Sequence, residues 1–175
     1  MITQAHPISA PTVSIVTVCR NAAGTIGATL ASVRAQTHSA IQHIVVDGAS
    51  NDGTQHIVSD NLRSDGILLS EPDSGIYNAM NKGLALATGD IVAILNADDF
   101  YTHTGIISKI VNSFMTQQVD AVYGDLVYVN ADFTKVTRNW KAGSFSPSKF
   151  YQGWMVPHPT FFVKREFYGG YCITS

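Results

Sequence analysis

The feature that most constrains this chain is a rhythm in its first 120 residues. Four short apolar runs, "TVSIVTV" (12–18), "IQHIVV" (41–46), "GILLS" (66–70) and "DIVAIL" (90–95), are each closed by turn residues and read as strands. Between the first two, Ile26, Leu30 and Val33 recur at helical spacing; between the last two, Met80, Leu84 and Leu86 do so. A further helix is predicted over 103–117, with Ile106, Ile107, Ile110, Val111 and Phe114 on its inner face. Strands alternating with helices of this length predict βαβ units, and so an α/β fold with a mainly parallel sheet covered on both faces. Ligands of such sheets sit beyond the carboxyl ends of the strands. The polar residues that close each run are therefore the first candidates for chemistry.

After about residue 120 the rhythm changes. "AVYGDLVYVNADFTKVTRNW" alternates with period two across a turn at Asn130 to Asp132, which predicts a small antiparallel pair. "KAGSFSPSKFYQGWMVPHP" has no periodicity and reads as a long loop at the edge of the site. A chain of 175 residues with 45% hydrophobic content can bury one good core. The expectation is one domain over 1–175, with halves at 12–120 and 121–175.

Eleven basic and thirteen acidic residues give a net charge of -2, which argues against a broad nucleic-acid surface; the aromatics read as not clustered with basic residues. Cys19 and Cys172 are far apart and fit reduced thiols better than a disulfide framework. "MITQAHPISAPT" has neither the basic nor the apolar region of a secretion signal, and no apolar run approaches ~18 residues. A cytoplasmic location is expected.

"VCRNAAGT" after the first run lacks both the glycine spacing of a dinucleotide fold and the Gly-Lys-Ser/Thr of a P-loop. Nor does it supply the Gly-rich basic loop of a sugar-phosphate nucleotidyltransferase. After the second run, Asp47 stands where a strand-end carboxylate accepts hydrogen bonds from a ligand, while Asn51 or Asp52 is expected to cap the next helix. In "SEPDSGIYNAMNKGLALATGD", Asp73 or Ser74 suits a helix cap and Gly89 a helix end, while Asn78, Asn81 and Lys82 crowd one turn at the sheet edge. "ILNADDF" ends a buried strand in two adjacent carboxylates, Asp98 and Asp99. Each disfavours ionisation of the other, and burial adds to the cost, so the pair calls for a counter-charge such as a divalent cation. A structural alternative is that they cap a helix starting near Thr102.

Together, "VSIVTVCRNA", "IQHIVVDGASNDGT", "SEPDSGIYNAMNKGLALATGD" and "ILNADDF" resemble, in order and spacing, the motifs of family-2 inverting glycosyltransferases with the GT-A fold. The likeness is closest to bacterial enzymes of surface-polysaccharide biosynthesis and runs over roughly residues 12 to 168. It implies a hexosyltransferase-type enzyme that takes a nucleotide diphosphate sugar and a saccharide or lipid-linked acceptor. It also implies Mg2+ or Mn2+ on Asp99, the donor's ribose or sugar side at Asp98 and the base at Asp47. Val18 and Arg20 would line the base pocket, with Gly75, Asn78 and Lys82 completing the donor side. Arg20 stands where many relatives have Tyr, and Asn78 where close relatives often have Asp.

The family's general base is an Asp shortly after a Gly-Gly-Phe/Tyr segment, matched here by Gly169, Gly170 and Tyr171, but no acidic residue follows Glu166. The expectations are an acceptor-side half that is truncated, with His158 or Asp125 as substitute bases, or a donor-binding module without turnover. Self-association through Phe161, Phe162 and Phe167, and peripheral contact with the inner face of a membrane, complete the sequence reading.

Overall fold

The computed structural model describes residues 10–168, 173 and 174. Its first half follows the predicted alternation: β1 (Val13–Cys19), α1 (Ile26–Arg34), β2 (Ile41–Asp47), α2 (Thr54–Asn61), β3 (Ile67–Ser70), α3 (Ile76–Leu86), β4 (Ile91–Ile94) and α4 (Ile106–Gln117). β1 pairs in parallel with both β2 and β4, and β3 pairs in parallel with β2. β1 is buried along its whole length because helices cover both faces of the sheet. One cluster, including Val13, Ile15, Ile91, Leu95, Ile107 and Phe162, packs under α4. Another, with Val16, Ile44, Val46, Ala79 and Met80, packs under α3. Gly83 allows that approach, since a Cβ there would lie 2.2 Å from Val16 Cγ1.

The second half departs more from expectation. β5 (Ala121–Val122) and β8 (Phe162–Lys164) join the main sheet, β8 antiparallel to β4, giving the order β3-β2-β1-β4-β8-β5. β6 (Leu126–Val129) and β7 (Val136–Trp140) form the predicted antiparallel ribbon. The loop after it carries a short helix, α5 (Pro147–Phe150), and a 3-10 turn at His158–Thr160. Phe162 is 1% exposed against the α4 cluster, so the expected open patch is not formed there; Phe167 remains 48% exposed. Adding β8 to the sheet supplies the missing cover.

The capping expectations are also revised. α4 starts at Ile106 with Gly105 at its cap, four residues beyond Thr102, so neither Asp98 nor Asp99 caps it. Gly53, at φ 94, caps α2, and Asp52 supports it from one position earlier by accepting from Thr54 N at 3.1 Å. α3 ends at Leu86, and Gly89 instead lets the chain pass close to β1, where a Cβ would meet Ser14 N at 2.7 Å.

Candidate active site

The carboxyl ends of β1, β2 and β4 converge on one edge of the sheet, and each delivers a polar loop there. The β1 and β2 loops are stitched together. Asn21 N donates to Ser50 Oγ at 2.7 Å, Ala22 N to Thr54 Oγ1 at 2.8 Å, and Ala23 N to Asp52 Oδ2 at 3.0 Å. Asn51 N returns a bond to Asn21 Oδ1 at 3.0 Å. Asn21 and Ala49 both sit at positive φ, 50° and 55°, where the chain must turn sharply off each strand.

Asp47 lies beneath these loops and is fully buried. Its oxygens accept from Ser50 N at 3.0 Å, Ser50 Oγ, Ser70 Oγ at 2.7 Å and Cys19 Sγ at 3.6 Å. Burial opposes its ionisation, but the bonds from Ser50 and Ser70 outweigh that and hold it below the ordinary carboxylate range. This differs from the sequence reading, which turned Asp47 toward a nucleoside base. A carboxylate has about four lone-pair sites, and here all are engaged within the protein. Asp47 ties β1, β2 and β3 together at their carboxyl ends. Cys19, pushed up to about 12 by burial and then by Asp47, is a protonated donor in that network. Cys172 lies outside the described residues.

Beyond β4 the chain turns through Asn96 to Asp99. Asp98 is exposed and Asp99 half-buried, its backbone carbonyl fixed by Thr29 Oγ1 at 2.8 Å. Burial, then the neighbouring Asp98, raises Asp99 to about 6. That is the like-charge pair inferred from the sequence, and it stores a demand for positive charge at neutral pH. Asn96 Nδ2 lies 3.0 Å from His158 Nε2, while Asn96 Oδ1 is buried with no partner among the described residues. Burial lowers His158 and Asp98 partly offsets this, so the imidazole is neutral at neutral pH and can accept from Asn96. The 3-10 turn thereby brings His158 to the carboxylates from far along the chain. The sequence reading missed Asn96 as a site residue, although it stands in the same "ILNADDF" stretch.

The α3 side is built differently. Gly75, at φ 128, caps the helix in a conformation that strains any other residue, and its N–H donates to Asp73 Oδ1 at 2.8 Å. The Asp73 carboxylate leans over Gly48, where a Cβ would lie 2.4 Å from Oδ2 and 3.4 Å from Arg20 Cδ. Gly48, Asp73 and the exposed Arg20 thus share one lip of the site. Asn78 Oδ1 accepts from Ser74 N at 3.4 Å. Lys82 is 2.8 Å from both Glu71 Oε1 and the Pro72 carbonyl, and Asn81 is bonded in both directions to the backbone of Ile173. Asn81 and Lys82 are thus engaged with other parts of the chain. Val18 is buried, and its carbonyl accepts from Ala97 N at 3.3 Å, so it shapes the floor. Asp125 is bound by Lys141 Nζ at 2.7 Å and Ala142 N at 2.9 Å, which lowers its pKa and makes it a weak base. Gly169, Gly170 and Tyr171 lie outside the described residues.

Among the described residues no three His, Cys, Asp or Glu side chains form a cation cage. The donor set nevertheless fits a hard divalent ion. Such ions commonly use one or two carboxylates and complete their shell with phosphate oxygens and water, and the Asp98-Asp99 pair provides those carboxylates. A cavity of about 370 Å3 lined by Ile91, Phe114, Lys164 and Glu166 lies by the opposite, amino ends of the strands and takes no part in this edge.

The profile of Glycosyl transferase family 2 matches residues 14–171. The chain belongs to that family. As a family-2 glycosyltransferase chain it is 30% identical over 167 residues to a PGL/p-HBAD biosynthesis glycosyltransferase of Mycobacterium bovis, covering 93% of this chain and 62% of that one. It is 38% identical over 106 residues to an uncharacterized glycosyltransferase of Mycobacterium tuberculosis, covering 60% and 40%. The family-2 chain therefore spans less than two thirds of the length of these curated relatives. Its fold is similar to a Pyrobaculum calidifontis mannosyltransferase solved with GDP-Man and Mn2+, with TM-score 0.67, 23% identity and coverage of 93% and 47%. It is also similar to Staphylococcus aureus TarS 1-349 in complex with UDP-GlcNAc, with TM-score 0.72, 17% identity and coverage of 90% and 46%. These likenesses confirm the GT-A architecture.

Proposed function

We propose that residues 12–120 form the donor-binding half of a glycosyltransferase that moves a hexose from a nucleoside diphosphate sugar, with inversion, to a saccharide or lipid-linked acceptor. Residues 121–175 contribute the acceptor side of the same domain. The observation that carries this reading is the Asp98-Asp99 pair at the carboxyl end of β4, where Asp99 is raised to about 6 by burial and its neighbour. A cofactor-binding function would need a glycine-rich first loop; this edge instead offers paired carboxylates and a polar lip.

The residues divide the work. The stitched β1 and β2 loops, with Arg20 and Gly48 at the lip and Val18 below, receive the nucleoside. Asp47 holds that wall in place from behind, and a direct bond to the base would require Ser50 or Ser70 to give way. Gly75 and Asn78 face the donor from the start of α3. Asp98 takes the ribose or sugar hydroxyls, and Asp99 holds Mg2+ or Mn2+. The ion supplies neutralisation of the diphosphate as negative charge develops on the leaving oxygens. Asn96 orients His158 beside Asp98 through its amide. The ligands of the neighbours, GDP-Man with Mn2+ and UDP-GlcNAc, support a nucleotide-sugar donor and a divalent ion. The name of the mycobacterial relative, a PGL/p-HBAD biosynthesis glycosyltransferase, supports a role in a biosynthetic glycosyl transfer.

A thermal-shift titration with UDP and GDP, each with Mn2+ and with EDTA, tests the reading. Stabilisation should appear only with the metal, amounting to about 2.7 kcal/mol at a hundredfold excess over the dissociation constant. Equal stabilisation in EDTA would overturn the assignment of the carboxylate pair.

A further inference from the structure

Charge along this chain is segregated in a way that its net value conceals. From Phe133 to Arg165 there are six Lys or Arg and no Asp or Glu, whereas the remaining residues hold five basic and thirteen acidic side chains. Four of those six cations, Lys135, Arg138, Lys141 and Lys149, lie on the β6–β7 ribbon and the loop after it. The acids nearest them in the chain are Asp132, in the ribbon turn, and Asp125, which is spent on Lys141. The sequence reading saw aromatics and cations as unclustered, and the structure corrects it. Arg138 lies 5.3 Å from the Tyr128 ring centre and 5.8 Å from that of Trp140, and Lys149 lies 5.9 Å from that of Trp154.

The loop around α5 turns large apolar side chains outward. Phe145 is 59% exposed, Tyr151 94% and Met155 62%. Their base is rigid: Phe145, Phe150 and Trp154 meet edge to face at 5.3 to 6.4 Å, and Trp154 Nε1 donates to the Ala142 carbonyl at 2.9 Å. An aromatic knot that carries Lys149 against Trp154, with Tyr151 and Met155 exposed beside it, combines the two attractions that seat a protein on a lipid surface. Apolar tips enter the boundary between headgroups and acyl chains, and Lys and Arg meet anionic headgroups.

We propose that the ribbon and the α5 loop together form a face that docks on an anionic bilayer. Charge complementarity selects this occupant, because with Lys141 neutralised by Asp125 the cations Lys135, Arg138 and Lys149 still outnumber Asp132, and a net positive face favours a negatively charged partner. The exposed apolar tips favour lipid over nucleic acid, whose phosphates reward cations but not Met155. The ribbon turn touches the carboxylate loop where Phe133 meets Phe100 at 5.0 Å, but the readout is lipid binding rather than sugar transfer, so the inference stands or falls independently of the proposed transfer reaction.

The test is co-sedimentation of the full chain with vesicles of phosphatidylcholine alone and with about a third phosphatidylglycerol, at low and high salt. The chain should pellet with the anionic vesicles, weakly or not at all with the neutral ones, and less at high salt. The double substitution Tyr151→Ser with Met155→Ser, and separately Lys149→Glu, should each weaken binding by about tenfold or more. The double variant should leave the melting temperature unchanged, since Tyr151 and Met155 lie outside the core, and both variants should leave the diphosphate response unchanged. Equal binding to both vesicle types, or undiminished binding by the double variant, would overturn the proposal. So would a preference for single-stranded RNA over vesicles, or a concentration-dependent dimer that the double variant abolishes while vesicles are ignored.

Discussion

The two halves of this molecule solve opposite problems. β1 and β2 are buried on both faces, and even their polar members, Ser14, Thr17 and His43, are closed off from water. The ribbon is nearly the reverse: β7 is exposed at four of its five positions, and Tyr128, Phe133 and Val136 are all more than two fifths exposed. One half derives its precision from packing, and among the described residues only Asn96 Oδ1 and Tyr101 Oη are buried side-chain atoms left without a partner. The other gains little from packing and is free to present chemistry outward. The candidate site lies on the seam, where Asp98 and Asp99 leave the buried sheet and His158 arrives from the open half.

Substitutions can break or sharpen that contrast. The largest effect belongs to the seam. Asp99→Asn should abolish the metal-dependent gain in diphosphate binding while leaving the melting temperature unchanged or raised, because ionisation of Asp99 in the folded state is unfavourable. The sign follows from its pKa, raised to about 6: the carboxyl favours the fold while protonated and loses that advantage as pH rises toward 6. Titration calorimetry and a melt at neutral pH check both parts.

Next comes the buried half. Asp47→Ala leaves Ser50 N and the Ser50 and Ser70 hydroxyls without their acceptor, and should cost about 2 to 4 kcal/mol in chemical denaturation. Nucleoside diphosphate binding by the folded fraction should weaken as the two loops loosen. A stable variant with selectively lost nucleoside affinity would restore the direct-contact reading.

His43 gives the buried half a pH signature. Burial, and then Arg63, lowers it to about 4, and its Nε2 lies 3.0 Å from Thr17 Oγ1. The neutral ring is the folded form, so stability is full above pH 6.5 and falls as pH drops through 4, by about 3 kcal/mol in all. His43→Gln should flatten that slope in urea melts taken across the interval. The smallest effect belongs to the ribbon, where Val136→Thr should change stability by less than about 0.5 kcal/mol. A larger loss would show that the exposed half depends on packing after all.

The sequence revealed the two halves unequally for the same physical reason. Burial on both faces forces continuous apolar runs, so β1, β2 and the helices α1, α3 and α4 could be read from spacing, whereas α2 buries only Thr54 and Val58 and was announced by the turn before it. β8 was invisible as a sheet member because three residues carry no period, and nothing local announces that Phe162 will lie beside Ala93. Asp98 and Asp99 were legible because two carboxylates after a buried strand are costly anywhere. Asn96, Asp73 over Gly48 and His158 were assembled by tertiary contacts across 25 to 62 residues of sequence separation, beyond the reach of a local pattern. Asp47 was found, but its bonds to Ser50 and Ser70 were not legible, since these are ordinary turn residues until the strands align.

The stitching between the β1 and β2 loops has a thermodynamic consequence for any ligand that meets them. Asn21, Ala22 and Ala23 each spend a backbone N–H on the neighbouring loop, so the wall is already ordered before anything binds. Association then forfeits little conformational freedom on that side, and affinity is limited by contacts more than by the cost of organising the receptor. The loops should behave as a template, selecting guests by shape, with the adjustments left to the exposed half across the seam.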